Sequence, residues 1–322
     1  MSRVLFAALV AALIGTVPAT AQDNYPTKPI RIVLPVPPGS ALDIATRLIA
    51  DQMSARLGQQ VLIETRPGGG GLIGGQAVAS APPDGYTLLG GPSSMYVILP
   101  AQKDRLPIDV NKSFTQIGML VGSAVLYIAV TPKLGVSTFP EFVALAKSRP
   151  GQIQIGTNGA GTLPHFAGLV LDKKGGVPIN VIPYNQGGTM AAVADIIGGR
   201  VHGTIEGVFG LRGPLQTGDL KLIGQMAPQR EPEFPDVPTI AETLPGITAI
   251  GFMSLAAPAG TPQPIVRRLA QELGNALQTP IVKQRFAELA IPLRPMTPEQ
   301  TTAFIANEQK IWWPLVKEFS PP

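Results

Sequence analysis

Apolar positions along this chain follow two alternating patterns. Short runs rich in β-branched and aliphatic residues, Ile30 to Val36, Val61 to Glu64 and Tyr86 to Leu89, predict buried strands. Between the first two, apolar residues at 45, 48, 49, 53 and 57 make a helical face over Asp43 to Leu57, which Gly58 closes. Leu72 to Ala81 predicts a second helix, and Pro82-Pro83-Asp84-Gly85 a turn. The alternation returns downstream. Strands are predicted at Val125 to Val130, Ile153 to Gly156, Ile179 to Ile182, Val201 to Ile205 and Ile247 to Ala256. Helices are predicted near Phe139 to Ser148, Leu163 to Lys174 and Met190 to Ile197. Strands alternating with helices imply parallel sheets covered on both faces. The end of the chain is helical. Thr261-Pro262 starts one helix, and Thr297-Pro298-Glu299-Gln300 is a capping box that starts another. Trp312 and Trp313 sit in that last helix, where they are expected to anchor it to the core.

The N-terminus has a different character. Arg3 precedes an apolar run from Val4 to Val17, and Ala19-Thr20-Ala21 has the small-x-small form of a cleavage site. The run is shorter than the roughly 20 residues of a membrane span. Residues 1–21 are therefore expected to be a signal peptide, and the mature chain to be soluble and outside the cytoplasm. Composition agrees with that compartment. The chain has no cysteine and two histidines, His165 and His202, so neither disulfides nor a multi-histidine metal site are expected. The formal charge of +4, or +3 without Arg3, is mild, and its Lys and Arg residues are scattered. Nucleic acid is thus not an expected partner.

Three loops carry the candidate chemistry, because each joins a strand to a helix start. Such starts present unpaired N–H groups and partial positive charge to an anion, at the strand ends where open α/β sheets bind ligands. The first is Pro37-Pro38-Gly39-Ser40-Ala41-Leu42-Asp43, in which Ser40 and Asp43 fit a capping box. The second runs from Thr157 and Asn158 through Gly159, Gly161 and Thr162 to His165, with Thr162 placed to cap the helix. The third is Tyr184-Asn185-Gln186-Gly187-Gly188-Thr189. The glycines at 68–71, 74 and 75 lack the Lys-Ser/Thr of a phosphate loop and are read as a tight turn and close helix packing. No Gly-x-Ser-x-Gly elbow and no His-Glu-x-x-His motif occurs. Asp43, Glu64, Asp84 and Glu206 lie too far apart in sequence to suggest a metal cluster, and Glu206 is read as a residue of the cleft rim. No catalytic residue, metal or cofactor is expected.

The motifs together resemble those of the tripartite tricarboxylate transporter receptors, the Bug-type periplasmic solute-binding proteins. They are Pro37 to Asp43 with Ala45-Thr46-Arg47, Leu57-Gly58-Gln59, Glu64 to Gly68 and Ala81 to Leu89, followed by Phe114 to Gly118, Pro235 to Thr239 and Ala257 to Pro262. The resemblance implies two α/β lobes joined by crossing strands, with a ligand cleft between them. Residues 22–125 and 248–322 would form lobe 1, and 126–247 lobe 2. It also implies capture of a small carboxylate by lobe closure and delivery to membrane permease subunits, by a protein expected to be monomeric. A sensor for a signalling partner and an exported enzyme on the same fold are the alternatives. The ligand-binding residues implied are Gly39, Ser40, Ala41 and Asp43, with Ser93 and Ser94 as wall residues. The second lobe would add Asn158, Gly161, Thr162, His165, Tyr184 and Asn185. The sequence departs from the family pattern at several points: Ser40 stands for a usual glycine, Thr65 for asparagine, and Asn185-Gln186 for a basic residue after the tyrosine. Val36 replaces a frequent aromatic, and His202 a common acidic residue, so the pocket should differ from those of its relatives.

Overall fold

A computed structural model describes residues 24–102, 106–289 and 291–319; the expected signal peptide lies outside them. The first part of the chain alternates β1 (Ile30–Leu34), α1 (Ala41–Leu57), β2 (Val61–Thr65), α2 (Leu72–Ala79), β3 (Thr87–Pro92) and α3 (Leu99–Gln102). The helix α1 forms where its punctuation puts it. Ser40 Oγ accepts the Asp43 amide at 3.4 Å, and Gly58 ends the helix in the left-handed conformation, at φ 66°. The buried face of α1 is Ala45, Ile49, Met53 and Leu57, four residues apart. Each large apolar side chain so buried stabilises the fold by about 1.5–3 kcal/mol.

A long strand follows, β4 (Phe114–Val130), and then α4 (Phe139–Ser148), β5 (Ile153–Asn158), α5 (Leu163–Lys173), β6 (Ile179–Tyr184), α6 (Gly188–Ile197), β7 (Gly203–Gly207), α7 (Arg212–Gln216) and β8 (Lys221–Gln225). The chain ends with α8 (Ile240–Thr243), β9 (Ile250–Pro258), α9 (Gln263–Leu277), α10 (Pro280–Glu288) and α11 (Pro298–Phe319). At α11 the reciprocal box forms as its sequence predicts, Thr297 N–H to Gln300 Oε1 at 2.9 Å and Gln300 N–H to Thr297 Oγ1 at 3.2 Å.

The fold is a two-lobed α/β architecture whose sheets share one strand. The order is β2-β1-β3-β9-β4-β7-β5-β6, with β8 also on β4. β2-β1-β3 and β6-β5-β7 are parallel sets. Between them, β4 runs antiparallel to β9 through residues 114–125 and antiparallel to β7 over 126–130. β4 is thus one crossing between the lobes. The chain returns alongside it: Met226 N–H bonds the Leu126 carbonyl, and Ala249 N–H bonds that of Met226, both at 2.8 Å. A proline-rich stretch before the return is pinned by buried Gln225, whose Nε2 reaches the Phe234 and Val237 carbonyls at 3.1 and 2.6 Å.

The helix α11 lies against β4, α3 and α5, so it touches both halves of the molecule. Gln309 Nε2 bonds the Tyr96 carbonyl and Asn111 Oδ1, each at 2.9 Å. Trp312, 2% exposed, joins the same apolar core as Phe166 and Val170 of α5. Trp313 is only partly buried beside it. A second core fills the first sheet and its helices, with Ile32, Ile49, Met53, Leu88, Leu269 and Phe286.

Candidate functional site

The parallel strands of both lobes send out loops from their carboxyl ends, and two of these loops meet across the lobes. From the first sheet come the β1–α1 turn, the glycine turn before α2, and the buried turn 94–98 after β3. Gly68, Gly69, Gly70 and Gly71 all have positive φ, which packs four residues into a turn too tight for side chains. Ser94 Oγ donates to the Gly70 carbonyl at 3.0 Å and ties that turn to the end of β3. Ser93, beside it, is buried. Gly74 and Gly75 lie where a β-carbon would reach Pro35 Cβ at 2.9 Å and Met95 Sδ at 2.8 Å, so they are the close helix contacts their sequence suggests.

The glycine turn faces the second lobe. A β-carbon on Gly70 would stand 3.2 Å from Leu99 Cδ2 and 3.5 Å from the Gly161 carbonyl oxygen. One on Gly161, at φ 83°, would stand 3.4 Å from Gln102 Oε1. The glycine-bearing turns of the two lobes therefore meet face to face. Gly70, Leu99 and Gln102 were not among the residues expected from sequence. Richness in glycine marked the turn, but nothing in sequence put it against residue 161.

The second-lobe loops brace one another. Asn185 Oδ1 accepts the Ala160 amide at 2.9 Å, and Asn158 Nδ2 donates to Glu206 Oε2 at 3.0 Å. The Thr189 hydroxyl donates to the same oxygen, and the Gly207 amide to Glu206 Oε1 at 2.8 Å. Glu206, at the end of β7, thus joins three strand-end loops. Burial pushes its carboxyl upward, against the pull of the Thr189, Gly207 and Asn158 donors. Tyr184 faces a different partner. Its hydroxyl donates to Asp195 Oδ2 at 2.6 Å, and Asp195 also holds Arg200. Partial burial, then that bond, push the phenol up to about 12.

The three helix starts differ in charge. At α1, which Ala41 begins, Asp43 is 3% exposed and takes the Gly39 amide at 2.8 Å and Arg47 Nε at 2.9 Å. The expected capping box is therefore modified: the carboxylate reaches Gly39 N–H rather than that of Ser40, and it occupies the helix start itself. At α6, Glu206 stands beside the first turn through Thr189. At α5 there is no acidic residue in the first turn. Thr162 does not cap α5 either; its hydroxyl donates to the Gly159 carbonyl at 2.8 Å and closes the turn instead. The start of α5 is the one candidate start that no side-chain carboxylate serves.

His165, one turn into α5, has its Nδ1 buried without a hydrogen-bond partner, and its ring packs edge-on against Phe166. Burial pushes the imidazole below its ordinary value. A depressed folded-state value means the unfolded chain binds the proton more tightly, so stability is full above about pH 6.5 and falls as pH drops below it. His165→Gln is expected to remove that share of the acid loss, read as a smaller fall in melting temperature between pH 7.5 and 5.5 than the wild type shows. Equal falls would mean His165 does not titrate as its burial implies. Among the described residues, no group of three or more His, Cys, Asp or Glu is placed to hold a metal, and no helix is long and apolar enough to cross a membrane.

Residues 45–320 match the model of the tripartite tricarboxylate transporter family receptor. The chain belongs to that family. The receptor is 33% identical over 309 residues to the protein BugT of Bordetella pertussis, covering 95% of this chain and 94% of that one. A UPF0065 protein of Bordetella bronchiseptica is 34% identical over 299 residues, covering 92% and 87%. Solved structures share the fold. A periplasmic transporter superposes with a TM-score of 0.84 at 31% identity, covering 92% of the receptor and 99% of that chain. An R. palustris protein solved with adipate gives 0.85 at 26%, covering 92% and 100%. MatC from Rhodopseudomonas palustris, with bound malate, gives 0.80 at 27%, covering 91% and 100%. The receptor thus resembles periplasmic solute-binding proteins rather than enzymes.

Proposed function

We propose that this receptor captures a small carboxylate between its lobes in the periplasm and delivers it to the membrane subunits of a tripartite transporter. The observation that carries this reading is the meeting of the Gly68–Gly71 turn with the Gly161 turn beside the uncharged start of α5. The adipate- and malate-bound relatives support the ligand chemistry. In this reading the lobes divide at 125/126 and 247/248, residues 1–21 are removed on export, and the receptor acts as a monomer without catalysis. The carboxylate is held by the Ser40 hydroxyl and the Ala41 amide on one side and by the Gly161 amide at the start of α5 on the other. Gly39, Asn158 and Thr162, whose donors serve Asp43, Glu206 and the Gly159 carbonyl, shape the turns that present them. Ser93, Ser94, His165, Tyr184 and Asn185 form the wall. Asp43 acts through the loop it braces.

The energetics allow this without a cationic clamp. A hydrogen bond to a charged group contributes roughly 1.5–3 kcal/mol, and three or four reach about 5–10 before ordering costs. Micromolar binding needs about 8 kcal/mol. A bound anion that bridges both lobes stabilises the closed form by its differential affinity. A thermal-shift screen of small carboxylates tests the reading, because a ligand of the native state raises the melting temperature. A screen in which no carboxylate does so overturns it. With a carboxylate in hand, Thr162→Val, which removes the bond that closes the turn, is expected to weaken binding at least about tenfold, or about 1.4 kcal/mol. Unchanged affinity by calorimetry would take that turn out of the site.

A further inference from the structure

We infer that Glu206 sets the ligand class of this cleft: a monocarboxylate whose far end offers a hydrogen-bond donor, in preference to a dicarboxylate. The inference rests on the carboxylate reading above and narrows it.

Glu206 occupies a singular place in the charge pattern. Arg66 on the candidate loops, and Arg47 and Arg212 just beyond them, are already paired with carboxylates, Glu64, Asp43 and Glu233 in turn. The described loops 35–43, 66–71, 92–102, 157–166, 184–190 and 206–211 contain no lysine. Glu206 has no cation within ion-pair distance among the described residues. Its partners are the Asn158 amide, the Thr189 hydroxyl and the Gly207 N–H, three donors from three loops. Burial favours the neutral acid and the three donors oppose it; converging on two oxygens, they hold Glu206 as an acceptor. The residue as a whole is partly exposed, at the end of β7.

That arrangement leaves acceptor capacity on Oε1, which takes one amide hydrogen, from Gly207 at 2.8 Å. A ligand hydroxyl or ammonium can fill it. A second ligand carboxylate cannot, since Glu206 is held as an acceptor and the two like charges repel. The first ligand carboxylate meets no such obstacle at α5, whose first turn holds no acidic residue. The cleft therefore has provision for one negative charge, and Glu206 asks for a donor at the other end. Specificity of this sort comes from the group that rejects the wrong ligand as much as from the one that holds the right one.

The test uses matched straight-chain and aromatic sets of four to eight carbons: dicarboxylates such as adipate, ω-hydroxy acids, and ω-amino acids such as 6-aminohexanoate. Binding to the mature protein is measured by calorimetry at pH 7.5. The best hydroxy or amino acid is expected to bind at least tenfold tighter than the dicarboxylate of the same length. Glu206→Gln should be tolerated. Its amide nitrogen can donate to Thr189 and to an Asn158 side chain turned to present its oxygen, while its oxygen keeps the Gly207 amide. The variant should bind the dicarboxylate at least tenfold tighter than wild type does and lose affinity for the amino acid. If its melting temperature shows that it does not fold, Glu206→Met, neutral and of similar length, carries the same comparison. Dicarboxylates that bind wild type as tightly as the other sets, or a neutral variant that leaves the ratio unchanged, overturn the inference while leaving carboxylate capture intact. If no member of any set binds, carboxylate capture itself fails, and the inference with it.

Discussion

Gly203→Ala is expected to destabilise the receptor by about 3 kcal/mol, the upper part of the range for overpacking. Gly203 starts β7 between β4 and β5, paired with Val130 and Ile155. An added β-carbon would lie 2.5 Å from the Ala129 carbonyl oxygen, 2.9 Å from Val130 Cγ1 and 3.2 Å from Ile155 Cδ1. The first of these is a backbone atom of the shared strand β4, which cannot swing aside as a side-chain tip can. Relief requires the ladder on which both lobes are hung to spread. The melting temperature should fall by roughly 5–10 °C. Gly274→Ala is the contrast. That glycine lies within α9 with nothing within 4 Å of an added β-carbon. It should raise stability by about 0.5–1 kcal/mol through helix propensity alone. Similar melting temperatures for the two variants would show that the β4–β7 contact yields more readily than its backbone geometry implies.

Gly161→Val is expected to weaken carboxylate binding by about a hundredfold, or about 2.7 kcal/mol. The backbone at φ 83° is open to glycine and disfavours a β-branched residue by roughly 1–3 kcal/mol. The valine would also push toward Gln102 Oε1, 3.4 Å from its β-carbon. The cheapest response is for the turn 159–162 to change shape, and that turn positions both the start of α5 and the face opposite Gly70. The loss should therefore appear in affinity more than in stability. Calorimetry with a ligand from the thermal-shift screen decides it. Affinity within threefold of wild type would mean the turn does not set the site.

The sequence carried some elements plainly and hid others for physical reasons. α1 was legible because its signals are local: Ser40 at one end, Gly58 at the other, and apolar residues four apart between them. The first half of β4 was not. Gly118 and Gly122 interrupt its pattern, its register against β9 shifts three times, and its pairing passes from one sheet to the other. Thr279-Pro280 is a local helix start for α10, with Pro in the first turn, but it follows α9 by two residues and merges with that helix's pattern. The strand-end loops of the site were legible, since a strand followed by glycine and a capping residue is a local pattern. Their charge was not. Asn158 meets Glu206 across 48 positions, and Gly70 faces Gly161 across the two lobes. The residue types make Asp43 half of a capping box, but its turn to the Gly39 amide depends on backbone geometry that they do not specify.

In the proposed mode of capture, one carboxylate is gripped by strand-end turns of both lobes at once. A crystal structure of the mature receptor with a carboxylate that raises its melting temperature tests this most directly. The carboxylate oxygens should lie within hydrogen-bond distance of the 158–162 turn at the start of α5, with the Ser40 hydroxyl and the Ala41 amide of the first lobe closing on the same group. A carboxylate bound to one lobe alone, or away from the start of α5, would contradict it.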